Sequence, residues 1–159
     1  MSKLYDNLNE QMNFELESAY RYASMAAYLD KLNMKGMTHF MEKQAQEELE
    51  HAAKFKKFLQ DTGYGVKYRT LNPGESEFES ILDVFSKALD HEKLITGRIN
   101  ELVKQAREDD DQRVINLLAW FVDEQIEEEE TFSVITERLE RINGSWSGLY
   151  ILDNELGAR

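Results

Sequence analysis

The chain has 159 residues, enough for one domain with one filled core, and 42% hydrophobic against 31% charged residues is a globular balance rather than a disordered one. A formal net charge of −12 repels nucleic acid and anionic membrane and makes cations the natural partners. With no cysteine, disulfides, thiolate catalysis, rubredoxin-type iron and iron–sulfur clusters are excluded.

The opening segment, MSKLYDNLNEQMN from Met1 to Asn13, lacks the apolar centre of a secretory leader. No stretch reaches the roughly 20 apolar residues of a membrane span; Leu117 to Val122 comes nearest and Asp123 interrupts it. The expectation is a cytoplasmic protein. Pro73 is the one proline, and so few breakers predict long helices.

In the first predicted helix Leu8, Met12, Glu15, Ala19, Tyr22, Ala26 and Leu29 follow a 4-3-4-3-4-3 step, a stripe on one face. Asn33 to Gly36 breaks it, and Thr38 is the expected cap of the second helix. There Met41, Ala45, Glu48, Ala52, Phe55 and Leu59 repeat the step. Thr62 to Ser76, with Gly63, Gly65, Pro73 and Gly74, reads as the one long loop, and Ser76 as the cap of the third helix. The third stripe is Phe78, Ile81, Phe85, Ala88, Glu92, Ile95, Ile99, Leu102 and Ala106. Asp109 to Asp111 marks a turn whose aspartates favour the start of a fourth helix; a cation-entry pore in an assembly is their other reading. The fourth stripe is Val114, Leu118, Phe121, Gln125, Glu128, Phe132, Ile135, Leu139 and Ile142. Asn143 and Gly144 end it, and Ser147 to Leu156 is a short fifth helix. Met25, Met34, Met37 and Met41 read as packing residues.

Loop length predicts the topology. Short turns make the first two helices antiparallel, and the last two likewise. A loop of about 14 residues reaches roughly 45 Å at ~3.3 Å per residue. A 25-residue helix is only about 37 Å long. The loop can therefore cross the whole bundle and leave the second and third helices parallel, a single all-α domain over residues 1–159 with one long crossover.

Every stripe carries a polar interruption at mid-length. Glu15, Glu48, Glu92 and the pair Gln125 and Glu128 stand where the step calls for Leu or Phe. A buried carboxylate must be neutralised, hydrogen-bonded or metal-bound, and four converging ones repel each other. Two divalent cations would cancel their charge. His51 follows Glu48 by three residues, so both project to one side and can chelate one ion. Tyr22 lies two turns beyond Glu15 on the same stripe. Glu47, Glu124 and Glu127 flank these groups as candidates for a third, looser metal position. His39 and His91 are expected to be exposed or to lie beside the ligands.

Several stretches resemble the bacterial non-haem ferritin family: LNEQMNFE (Leu8–Glu15), QAQEELEH (Gln44–His51), HEKLITGRINEL (His91–Leu102), WFVDEQIEEEE (Trp120–Glu130) and GLYILDNEL (Gly148–Leu156). The resemblance covers nearly the whole chain. It implies a ferritin-like bundle that oxidises ferrous iron with dioxygen or peroxide and stores it as a ferric mineral in a hollow shell of 24 identical subunits. By position it implies that Glu15, Glu48 and His51 bind one iron. Glu48 would bridge to a second held by Glu92 and Glu128, with Gln125 nearby and Tyr22 beside the site. Glu47, Glu124, Glu127 and Glu128 would hold the additional iron. Bacterioferritins bind haem through a methionine directly after the bridging glutamate. Leu49 stands there, so no haem is expected.

Two departures sort the relatives. Related di-iron enzymes carry Glu-x-x-His on two helices. Here Thr131 stands at that offset from Glu128, so the second histidine is missing. Ile126 replaces a histidine common in relatives and is expected to point away from the metals. The rival readings are a ferritin-like peroxidase, a non-catalytic acidic scaffold and a mini-ferritin. The first usually needs a cysteine-bound iron, the second leaves the four carboxylates unexplained, and the third needs histidines that the first helix lacks.

Overall fold

The computed structural model describes residues 3–159, so the reading of Met1 and Ser2 lies outside the described residues. Among the described residues there are five helices and no strand: α1 Lys3–Lys31, α2 Lys35–Asp61, α3 Ile81–Glu108, α4 Gln112–Ile142 and α5 Trp146–Leu156.

The crossover, residues 62–80, explains the topology. It is tied along α1 in order: Tyr64 Oη donates to Asp6 (2.6 Å), Lys67 N to Asn9 Oδ1 (2.9 Å), Arg69 N to Asn13 Oδ1 (3.1 Å), Asn72 N to Glu17 Oε1 (2.8 Å), and Ser24 Oγ to the Glu75 carbonyl (2.7 Å). These partners climb α1 from residue 6 to residue 24, so the strap spans most of the bundle. Backbone groups of an extended strap need partners, and α1 supplies them with asparagines and a glutamate. Because α3 then starts at the end where α2 started, α2 and α3 run parallel. α3 is antiparallel to α1, as Asn7 donating to Gln105 (2.7 Å) and Ser18 meeting His91 (2.7 Å) require.

Two expected caps fall elsewhere. Thr38 does not cap α2; it sits inside the first turn and its hydroxyl donates to the Met34 carbonyl at 2.8 Å. A first-turn amide, Met37 N, is satisfied instead by Asp153 Oδ1 of α5 at 2.7 Å, a partner more than a hundred residues away. Ser76 does not cap α3 either. Ser80 does, accepting from Asp83 N at 3.0 Å, because Phe78 is held in the strap edge-on against Tyr28 (5.2 Å between ring centroids). Asp111 caps α4 by accepting from Arg113 N and Val114 N. Asn143 ends α4 in the left-handed region (φ 50°) and Gly144 continues it at φ 77°.

Among the described residues the core has two apolar clusters. One, at the α5 end, is built on Met37, Phe40, Phe85, Phe132 and Leu152. The other, at the opposite end, is built on Leu8, Phe55, Ile99, Val114 and Phe121. Between them lies a belt of buried polar side chains.

Candidate metal centre

Each helix contributes to that belt from mid-length. Glu15 of α1, Glu48 and His51 of α2, Glu92 of α3, and Gln125 and Glu128 of α4 are all buried. The ligand atoms of Glu15, Glu48 and His51 lie within 4.8 Å of one another. So do those of Glu48, Glu92 and Glu128, which makes Glu48 common to two adjacent groups. His51, Glu124 and Glu128 form a third group of the same size.

Neutral donors line one half of the belt. Gln44 Nε2 donates to Glu48 Oε1 (3.2 Å) and Glu128 Oε2 (2.8 Å). Gln125 Nε2 donates to Glu92 Oε2 (3.1 Å), and the Tyr22 hydroxyl donates to Glu92 Oε1. His51 Nδ1 faces Glu48 Oε2 at 3.1 Å, and its ring is met edge-on by Trp120 and Phe121. Among the described residues Glu15 has one donor, Gln11 Nε2 at 3.2 Å, and its Oε2 is buried without a hydrogen-bond partner.

Burial dominates the electrostatics. Desolvation, then the neighbouring Glu48 carboxylate, holds Glu15 well above the usual carboxylate range. Glu48 is raised in the same way by burial and then by Glu92. Burial pushes Glu92 up to about 7, and burial followed by Glu92 pushes Glu128 to about 8. The Tyr22 phenol is raised well above its ordinary value by burial and by Glu92. Such a belt suits divalent cations: hard oxygen donors, one imidazole, and a buried oxygen on Glu15 without a hydrogen-bond partner among the described residues.

The structure thus brings Glu15, Glu48, His51, Glu92, Gln125, Glu128 and Tyr22 together. Glu124 joins from a half-buried position, 4.0 Å from His51 Nε2. Glu47 and Glu127 fall in none of the three groups. Glu47 is paired with Arg159 at 2.8 Å, and Glu127 is exposed. Thr131 and Ile126 are exposed, Leu49 lies on the outer side of α2, and His39 is half-buried. His91 is buried against Phe14 and Tyr22, and desolvation followed by Arg21 lowers it to about 4. Sequence reading missed Gln11 and Gln44. Each stands one turn before a carboxylate it serves, Glu15 and Glu48, and that i,i+4 spacing was the available signal.

A four-helix bundle with one long crossover and a carboxylate–histidine cluster in its core defines the ferritin-like class. A family model described as the ferritin-like domain matches residues 5–142. A bacterial non-heme ferritin of Staphylococcus aureus (strain USA300) is 39% identical over 156 residues, 98% of this chain and 94% of the relative. One of Staphylococcus haemolyticus is 38% identical over the same shares. An open pore ferritin of Archaeoglobus fulgidus superposes with a TM-score of 0.98 at 40% identity, covering all of this chain and 98% of the other. The chain belongs to the bacterial non-haem ferritin family.

Proposed function

We propose that this chain is the subunit of an iron-storing ferritin and oxidises ferrous iron at the central belt. The observation that carries the reading is the gathering, in the buried core, of four carboxylates and a histidine from all four helices, with Glu48 shared by two ligand groups and one Glu15 oxygen unpartnered among the described residues. Iron is the substrate. Glu15, Glu48 and His51 would hold one ferrous ion, and Glu48, Glu92 and Glu128 the second. The chemistry is a two-electron transfer. Each ferrous ion loses one electron; dioxygen with two protons leaves as hydrogen peroxide, or peroxide with two protons leaves as two waters. Anionic oxygen ligands favour the ferric product because they stabilise the higher charge. Gln125 and Tyr22 fix the Glu92 carboxylate, and Gln44 fixes Glu48 and Glu128, so the ligand geometry is set before iron arrives. With a single histidine the site is poor in nitrogen donors, which suits an ion that moves on to storage. Glu47, Glu124, Glu127 and Glu128 are proposed to serve an additional iron. No haem is expected, since Leu49 offers no axial ligand.

The ferric product is proposed to mineralise inside a 24-subunit shell, in the cytoplasm, with no nucleic acid or membrane partner. Among the described residues no helix is long and apolar enough to cross a membrane.

The test is aerobic addition of ferrous salt, followed by oxygen uptake, the ferric absorbance and size exclusion with iron detection. A large particle carrying many irons per subunit is the expected result. Glu48→Ala should slow oxidation by about 100-fold or more, given that losing an outer partner of a metal ligand alone costs roughly 10–100-fold. A small particle without iron points instead to an acidic scaffold, and a Glu48→Ala variant that oxidises iron at the full rate removes the belt as the site of oxidation.

A further inference from the structure

The segment beyond α5 reaches the edge of the metal centre. α5 is seated on the start of α2, backbone close against backbone at Gly36. A Cβ at Gly36 would come within 1.8 Å of the Asp153 carbonyl oxygen, and one at Gly157 within 3.0 Å of Gly36 Cα. Asp153 also accepts from Met37 N. This close seating carries the chain along α2, one turn after another, toward Phe40, Gln44 and Glu47. Arg159 engages all three. Its Nη1 donates to the Phe40 carbonyl (3.1 Å), its Nη2 donates to Gln44 Oε1 (3.0 Å) and pairs with Glu47 Oε2 (2.8 Å), and the guanidinium lies 4.3 Å from the Phe40 ring centroid.

Two consequences follow from the donor pattern. A glutamine whose oxygen accepts from Arg159 must present its nitrogen on the other side. That nitrogen is the one bonded to Glu48 and Glu128, so Arg159 sets the orientation of a residue that orients two ligands. The second consequence concerns the additional iron. Glu124 and Glu128 already share a ligand group with His51, while Glu47 is held by a positive charge.

We propose that Arg159 is a built-in cation that keeps the additional iron position closed: it occupies Glu47 and locks Gln44, and a third cation binds at Glu47 only when Arg159 withdraws. This rests on the reading of the belt as a two-iron site. It makes Arg159 a positioning residue, acting through Gln44 and Glu47. Filling of the central pair and of the third position then become separate events. The third competes with the docking of the segment after α5, while the central pair, whose ligands Arg159 reaches only through Gln44, fills without its withdrawal.

Calorimetric titration of the metal-free full-length assembly with zinc, which does no redox chemistry, tests this. Arg159→Met keeps an apolar stem over Phe40 and removes the charge. The unmodified protein should show two tight zinc ions per subunit and a weak third. In Arg159→Met the third should tighten by about tenfold, the lower end of what altering an outer partner of a metal ligand does. Adding Glu47→Gln to that variant should abolish the gain. If Arg159→Met titrates like the parent, or the gain survives Glu47→Gln, the lock is overturned and the two-iron reading stands. If Glu48→Ala leaves all zinc binding intact, both are overturned.

Discussion

The two ends of the bundle and its middle are built on opposite principles. At the ends, Phe85 and Phe132 on one side, and Phe55 and Phe121 on the other, are fully or almost fully buried among apolar neighbours. In the middle, residues buried just as deeply are carboxylates. Burial stabilises the first set and opposes ionisation of the second. The difference teaches that stability and chemistry are separated along the bundle axis. The clusters supply the free energy of folding, and the belt uses it to hold carboxylates that neutral donors, protons or cations must satisfy.

The largest effect should come from attacking an end. Phe55 is fully buried and stacks on Phe121 at 4.2 Å. Phe55→Ala should cost about 3–5 kcal/mol, a fall in Tm of roughly 10 °C for a chain of this size. Thermal unfolding checks it. Zinc titration of the folded variant below its Tm should still show the central pair. Glu15→Gln should do the reverse, with cation binding weakened and Tm without metal unchanged or raised. If both variants lose stability and metal together, the axis is not divided as described.

An intermediate effect is expected where the belt touches a cluster. Tyr22 is wholly buried, stacks on Phe132 (5.9 Å), and points its hydroxyl at Glu92. Tyr22→Phe keeps the ring and removes the donor. Leaving Glu92 Oε1 without it should cost about 1–3 kcal/mol in the metal-free protein. Ferrous oxidation should slow by about tenfold, not vanish, since no ligand is lost. Oxidation at the parental rate with an unchanged Tm would show that the hydroxyl does not hold Glu92.

What sequence could and could not reveal follows the same division. The stripes are periodic, so the four helices, their polar interruptions and the crossover were legible from spacing. Glu15, Glu48, Glu92 and Glu128 stand out because an apolar step predicts something else at each of them. The caps were harder. Thr38 and Ser76 look like cap residues, yet α2 takes a partner from Asp153 and α3 waits until Ser80, because packing of α5 and of Phe78 decides where those helices begin. Gln44 escaped notice because a glutamine one turn from a glutamate reads as a solvated helix face. Only the fold shows that it is buried and faces α4. The placement of Arg159 against Glu47 depends on how α5 docks, which no local pattern records.

The smallest expected effect is a slope with pH, and it separates the belt from the ends because the apolar clusters do not titrate. Glu92 and Glu128 are raised from 4.5 to about 7 and about 8, by burial first. In that window the folded state without metal binds more protons than the unfolded chain. Stability is therefore fully present below pH 4.5 and is lost as pH rises through the folded values. His91 acts in the opposite sense. Its lowered value, about 4 against 6.5, takes stability away as pH falls below 6.5. Between pH 6.5 and 8 the carboxylates act without that compensation, and Tm of the metal-free protein should fall by a few degrees. With saturating zinc the slope should reverse, because cations bind the ionised carboxylates and the protons that compete with them are fewer at higher pH. Glu128→Gln should flatten the metal-free slope by removing a carboxylate that burial and Glu92 push up to about 8. Parallel slopes with and without zinc would mean that the belt's protons and the cations do not share the same oxygens.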